Sequence, residues 1–305
     1  MIRVFLSCFI SLACLCLAAS SVRSAENEKV LYEGDSLYHH IRVSEVDGYR
    51  YLSFNRIRGS QSAVSVSNPF ELKFPYTRAS FVAPAFLDHK PERVLFVGLG
   101  GGSMPRVMGK YYPDSRIDIV EIDQDVTDVA KRFLFFEPTP MMKVIVMDGR
   151  RFLRSCKDYY DIIFLDAYDD RSIPFHLTTK EFFEIVRKRL KPSGIVASNI
   201  WGPRTDEFYL SEVKTYQQVF PHVYLIDAVL SSNYIIIAGS RETAMTKTML
   251  EERIPSVQAR FQFDFQLMTY ASTFEDLSMV PIDAKVLHDD FAPVEFLRSR
   301  KASTK

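Results

Sequence analysis

What the chain lacks narrows its chemistry first. Lys+Arg and Asp+Glu stand at 38 each in 305 residues, so no net field draws nucleic acid or an anionic membrane. Cysteine is scarce, at four residues, and three of them (Cys8, Cys14, Cys16) lie in the first 24 positions. Cys156 alone lies beyond, which leaves neither an internal disulfide nor a cysteine metal cluster once that segment is removed. No histidine has suitable spacing to the acidic cluster, so no metal is expected. The sequence carries no internal repeat and no low-complexity tract. Arg3 precedes one apolar run, Val4 to Ala19, which is short for a spanning helix and right for a signal h-region. Residues 1–24 are therefore expected to be a signal peptide. The expected product is exported, periplasmic or secreted, with anchoring through this segment as the alternative.

The chain is organised around Arg93 to Asp123. Arg93-Val94-Leu95-Phe96-Val97 is a buried-strand run that empties into Gly98-Leu99-Gly100-Gly101-Gly102. Ser103 suits a helix N-cap and Pro105 the first turn, and Met104, Val107, Met108 and Tyr111 follow at helical spacing. Ile117-Asp118-Ile119-Val120 reads as the next parallel strand and closes with Glu121 and Asp123. Glycines let backbone approach a ligand, a helix N-terminus offers unpaired N–H groups, and an acid roughly 20 residues on takes ribose hydroxyls. That pattern fits NAD, and equally S-adenosylmethionine and its relatives.

Before this stretch, residues 28–85 have strand character. His40 to Val46 and Tyr49 to Phe54 alternate around Asp47-Gly48, a strong hairpin signal, and Arg56 to Asn68 reads as a loop or the edge of another hairpin. A small antiparallel lobe is expected here. After it, strands and helices alternate through residues 86–240: strands at Val144–Met147, Asp161–Leu165 and Ile195–Ile200, and a terminal pair at Val223–Ile226 and Tyr234–Ala238. Thr178 with Glu181 predicts a capping box, and Lys191-Pro192-Ser193-Gly194 a helix stop. Residues 241–305 read as a helix and a tail. The fold class is α/β, a doubly wound, mostly parallel sheet with a small N-terminal β lobe.

Three acids, Glu121, Asp148 and Asp166, end consecutive strands on the rim that carries the glycine loop, where such sheets bind ligands. Asp166-Ala167-Tyr168-Asp169-Asp170 adds further carboxylates, suited to a cationic substrate or to a base. His176, between apolar neighbours, is assigned no role.

These residues resemble the spermidine synthase family of aminopropyltransferases. The likeness rests on VLFVGLGGGSMPR, VEID at Val120 to Asp123, DGRRFL at Asp148 to Leu153 and DIIFLDAYDD at Asp161 to Asp170. Ser36 to Ile41 is similar to the family's first hairpin, and Gln61 falls where the family has a cofactor-side glutamine. The resemblance implies a fold of S-adenosylmethionine-methyltransferase type. It implies that Gly98, Gly100, Gly102 and Gln61 serve the cofactor, that Glu121 holds ribose hydroxyls, and that Asp148 with Gly149 holds adenine. Asp166 would then be the proton acceptor and Asp169 a partner for the substrate amine.

Two positions depart from the family pattern. Ser103 stands where an aspartate holds the cofactor's amine, and Tyr76-Thr77-Arg78 replaces tyrosine, histidine, glutamate. Arg78 would repel a diamine and could suit a carboxylate. The expected function is aminopropyl transfer from decarboxylated S-adenosylmethionine to a small-molecule amine. The alternatives are an S-adenosylmethionine-dependent methyltransferase, or an exported protein that binds nucleoside or polyamine without turnover. No nucleic-acid partner is expected, nor a membrane after signal removal, and a homodimer is left open. Export also conflicts with a cofactor made in the cytosol.

Overall fold

The computed structural model describes residues 28–54, 60–167 and 173–291. The predicted signal peptide lies outside them. Four antiparallel strands come first: β1 (Lys29–Asp35), β2 (His40–Val46), β3 (Tyr49–Phe54) and β4 (Ser62–Ser65), in that order across a small sheet. Asp47 and Gly48 turn β2 into β3 with φ of +49° and +78°, the handedness that matches strand twist in a two-residue hairpin.

The chain then runs through helix α1 (Pro75–Ser80) and a 3-10 turn at Ala83–Phe86 into the large sheet. There follow β5 (Arg93–Val97), α2 (Ser103–Tyr111), β6 (Arg116–Glu121), α3 (Gln124–Phe133), β7 (Met142–Val146), α4 (Gly149–Ser155) and β8 (Tyr160–Leu165). After a 3-10 turn at Phe175–Leu177 come α5 (Lys180–Arg187), β9 (Leu190–Trp201), α6 (Glu207–Val219), β10 (His222–Asp227) and β11 (Asn233–Gly239). The last elements are α7 (Lys247–Arg260), α8 (Met268–Ala271) and the short β12 (Glu275–Asp276). The strand order is β12-β10-β11-β9-β8-β5-β6-β7, parallel from β9 to β7 and antiparallel beyond β9.

From β5 the chain builds outward through β6 and β7, then returns to place β8 on the other side of β5. The order therefore reverses between β5 and β8, and the chain ends of these two strands diverge. A crevice opens there, where doubly wound sheets take ligands.

Period-two alternation explains how β5 is buried on both faces. Val94 and Phe96 enter one core with α2 and α7, while Leu95 and Val97 enter the other with Phe182, Phe183 and Tyr216. Phe96 stacks on Phe164 of β8 at 4.7 Å between ring centroids. A third, smaller core joins Ile41, Val43, Leu52 and Val64 of the lobe to Val126 and Val129 of α3. The lobe is thereby fixed over the glycine-loop side of the crevice. Among the described residues, no helix is long and apolar enough to cross a membrane.

Four local expectations are corrected. Gly102, at φ +71°, caps α2 in place of Ser103, whose hydroxyl donates to the Ala63 carbonyl. Thr179, not Thr178, caps α5 by accepting the Phe182 N–H, and Glu181 faces His288 and the Asp289 N–H. Lys191 to Gly194 belongs to β9, because Tyr160 pairs with Leu190 before a register shift. The tail returns to the sheet as β12, two residues too short to show any periodicity.

Candidate active site

The crevice is a cleft of about 750 Å³. It is bounded by the glycine loop and the ends of β6, β7 and β8 on the sheet side. The lobe and the segment around Tyr76 close it from above.

At the first strand end, Gly98 adopts φ +100°, and a Cβ there would lie 2.4 Å from the Asp166 carbonyl oxygen. Only glycine allows that backbone contact. The Leu99 N–H donates to Glu121 Oε2 and the Asp123 N–H to Oε1, each at 3.0 Å. Burial raises the Glu121 carboxyl above its ordinary value, and these two N–H groups oppose the rise. Both oxygens retain accepting capacity toward the cleft. Asp123 does different work. It caps α3 through the Asp125 N–H and receives Ser36 Oγ and His39 Nδ1 from the lobe. His39 lies flat on Phe54, 4.0 Å between ring centroids, and lines the cleft.

At the end of β7, Asp148 caps α4 by accepting the Arg151 N–H on Oδ1, at 2.8 Å. Its Oδ2 faces His176 Nε2 at 2.9 Å. Gly149 is held against Val97, which a Cβ would approach to 2.4 Å.

Asp166 follows β8 and extends its pairing through an N–H to the Val97 carbonyl. Asn199, buried on β9, donates Nδ2 to Asp166 Oδ1 at 2.9 Å, and Asn233 of β11 donates to Asn199 Oδ1 at 2.9 Å. The Tyr76 hydroxyl, which donates to the Gln61 carbonyl at 3.4 Å, also bears on the Asp166 carboxyl and lowers it. Desolvation nevertheless dominates and raises the Asp166 carboxyl from 3.8 to about 7, against the lowering by Asn199 and Tyr76. The Tyr76 phenol is pushed well above its usual value, by burial first and by Asp166 second, so it stays a donor.

Of the residues predicted for the site, Gln61, Gly98, Gly100, Glu121, Asp148, Gly149 and Asp166 share this cleft. Gly102 does not line it; its α-carbon turns toward Phe136, which a Cβ would meet at 2.4 Å. Asp169 lies outside the described residues. Arg78 does not line the cleft either. Its Nε donates to the Leu72 carbonyl at 2.6 Å and its guanidinium lies over the Phe265 ring at 5.1 Å, so it does not confront a diamine. Ser103 borders a small recess beside Asp166, with Ser62, Thr77 and Lys73. The Lys73 ammonium itself sits 3.9 Å over the Tyr49 ring.

Sequence reasoning missed Tyr76, Asn199, Asn233, His39 and His176 as cleft residues. Asn199 could have been found, because it stands at the end of a parallel strand on the rim already singled out. Asn233 and Tyr76 reach Asp166 through tertiary packing alone. Among the described residues, no group of three or more His, Cys, Asp or Glu side chains could hold a metal ion.

Comparison with known proteins bears on this geometry. The Spermine/spermidine synthase domain family matches residues 73–249. A polyamine aminopropyltransferase of Vibrio vulnificus is 30% identical over 295 residues, covering 94% of this chain and 97% of its own. A probable spermidine synthase from Corynebacterium glutamicum superposes with a TM-score of 0.67 at 22% identity, over 86% of this chain and 97% of that one. Human methyltransferase-like protein 13, solved in complex with SAH, gives a TM-score of 0.54 at 26% identity, over 61% and 88%. A family match over more than half the chain, and a relative aligned almost end to end, place the chain in the spermine/spermidine synthase family of transferases.

Proposed function

We propose that the chain transfers an aminopropyl group from decarboxylated S-adenosylmethionine to an amine of a small polyamine, with Asp166 as proton acceptor. The observation that carries this is a carboxylate held at the crevice by the Asn199 amide and raised by burial to about 7. The nucleoside lies along the rim, its ribose at Glu121 and its adenine at Asp148 and Gly149.

A polyamine nitrogen has a pKa of about 10 and arrives protonated, hence not nucleophilic. Asp166 holds the ammonium and accepts one proton. The freed nitrogen attacks the carbon beside the sulfonium, the carbon–sulfur bond breaks, and the electron pair stays on sulfur as neutral methylthioadenosine. An acceptor near pKa 7 leaves that proton transfer uphill by about three units, or ~4 kcal/mol, against ~8 for an ordinary carboxylate. Positive charge disappears at sulfur in this step. Alignment of nitrogen, carbon and sulfur therefore matters more than an oxyanion hole. Asp169 is retained from the sequence as the partner of the amine.

A second reading, methyl transfer from intact S-adenosylmethionine, is favoured by one feature. Among the described residues, the recess beside Asp166 offers the hydroxyls of Ser62, Thr77 and Ser103 and no second carboxylate, a lining that suits the terminal carboxylate which only the intact form carries. The neighbour solved with SAH is compatible with it. Calorimetry with decarboxylated and intact S-adenosylmethionine, followed by product mass analysis, separates the two. Preference for the decarboxylated form with an aminopropylated product supports the first reading, and a methylated product the second. Binding without product supports an exported binding protein. Export remains part of the proposal from residues 1–24, tested by N-terminal sequencing of the mature chain.

A further inference from the structure

We propose that Trp201 receives the far cationic end of the amine acceptor on its indole face and so sets which amines the site takes; the inference rests on the nucleoside and Asp166 acting as described above. The cleft has two arms, because the sheet continues to both sides of Asp166. One arm follows β5, β6 and β7 past Glu121 to Asp148. It ends at the 3-10 turn at Phe175–Leu177, where His176 Nε2 meets Asp148 Oδ2 at 2.9 Å. That turn is tied down. The His176 carbonyl accepts Arg150 Nη1 at 3.1 Å, and both oxygens of Asp289 clamp Arg150, at 2.7 and 2.6 Å. With the nucleoside in this arm, the acceptor extends from Asp166 along the other, over β9 and β11.

The second arm is built from neighbours on one face of the sheet. Side chains alternate along β9, so Ile200 enters the core while Asn199 and Trp201 share the opposite face and line the cleft. Asn199 donates to Asp166, which sets Trp201 one step of the alternation, roughly 7 Å, farther along the strand. Asn233 stands opposite Trp201 in the pairing of β11 with β9, and Ser231 lies beside it in the cleft wall. Trp201 is 50% exposed, so a ligand can reach it. Among the described residues, the carboxylates that line the cleft are Glu121, Asp148 and Asp166, and the first two belong to the nucleoside arm. Arg78, at the position where the family has an acid, is drawn away to the Leu72 carbonyl. Asn233 spends an amide N–H on Asn199 and can offer an ammonium only a neutral oxygen. A second ammonium in this arm therefore meets an aromatic face in place of an ion pair. Indole is the strongest aromatic partner for a cation, and the attraction needs no N–H donor, so it extends to methylated ammonium groups.

Trp201 is the single tryptophan of the chain, so its emission reports directly on this contact. The full chain, loaded with methylthioadenosine, is titrated with 1,4-diaminobutane, with the same diamine trimethylated at one nitrogen, and with butylamine. Transfer to each from decarboxylated S-adenosylmethionine is measured in parallel. Both dications should change the emission, and butylamine should not. The kcat/KM for the diamine should exceed that for butylamine by about tenfold, and the trimethylated form should stay within about threefold of the diamine. Trp201→Leu should reduce the diamine-to-butylamine ratio to about threefold or less, and Trp201→Phe should keep more of it, with thermal unfolding checked for both. An unchanged ratio in Trp201→Leu would overturn the role of Trp201. A loss of about tenfold or more on trimethylation would overturn it too, because that marks an ammonium held by a carboxylate through its N–H donors. Absence of transfer to every amine would overturn the aminopropyl reading instead, and the emission titration would then decide the contact with Trp201 by itself.

Discussion

Gly98 and Asp166 touch through their backbones: the Gly98 α-carbon lies so close to the Asp166 carbonyl that a methyl group there would stand 2.4 Å from the oxygen. The glycine loop and the residue proposed as proton acceptor are thus one mechanical unit. Gly98→Ala is expected to lower kcat/KM by tenfold or more and to destabilise the fold by about 2–4 kcal/mol, from overpacking together with a left-handed backbone. Gly48→Ala is the control. Gly48 also has positive φ, +78°, but nothing lies within 4 Å of its missing Cβ. It should lose only about 1–2 kcal/mol by chemical denaturation and keep its activity. Equal losses in the two variants would dismiss the contact as a functional coupling.

Asp166→Asn removes the proposed proton acceptor and keeps the shape. Transfer should fall by about 10²–10⁴-fold while the dissociation constant for methylthioadenosine changes by less than about threefold. The carboxyl is raised in the fold, so the native state holds a proton that the unfolded chain releases between about pH 4 and 7. Its stabilising protonated form is lost as pH rises through about 7. The asparagine variant should therefore be more stable than the wild type at pH 8, by about 2 kcal/mol. That is half of the three-unit limit, because the group borders an open cleft. The gap should close below about pH 4, as thermal melts across pH would show.

The pH–rate profile follows from the same group. In the proposed reaction the carboxylate is the active form, so kcat/KM should rise with unit slope and level off above about pH 7. The Asn199 amide donates to the ionised Asp166 and lowers its pKa. Asn199→Ala should consequently move the acid limb to higher pH. A limb that stays in place, or moves down, would remove Asp166 from it.

Glu121→Gln leaves the side chain in position and replaces one accepting oxygen with a donor that faces either the Leu99 or the Asp123 N–H. Nucleoside affinity should weaken by about 1.5–3 kcal/mol, the usual worth of a hydrogen bond to a charged group. An unchanged dissociation constant would contradict the ribose assignment.

Much of this site was legible in the sequence because its residues stand where strands end. Glu121, Asp148 and Asp166 each close a parallel strand, and topology alone brings such positions to one rim. The central strands were legible for a related reason, since Val94 to Val97 and Ile162 to Leu165 are apolar without interruption. What escaped was set by tertiary contact. Asn233 reaches Asp166 only through Asn199, across a pairing of β11 with β9 that carries no local signal. Arg78 shows the converse error. Its place in a family motif points to the substrate, yet the Leu72 carbonyl and the Phe265 ring draw it elsewhere. The apolar neighbours of His176 hide it in the sequence, although a turn can present one polar side chain outward from such a run.

The clamp between Arg150 and Asp289 joins the middle of the chain to a residue 139 positions later. The turn that walls one end of the cleft is thus tied down by a residue synthesised long after it. A nascent chain with the whole parallel sheet in place would still have an unfinished pocket, and ligand affinity should mature only after the stretch around Asp289 has docked.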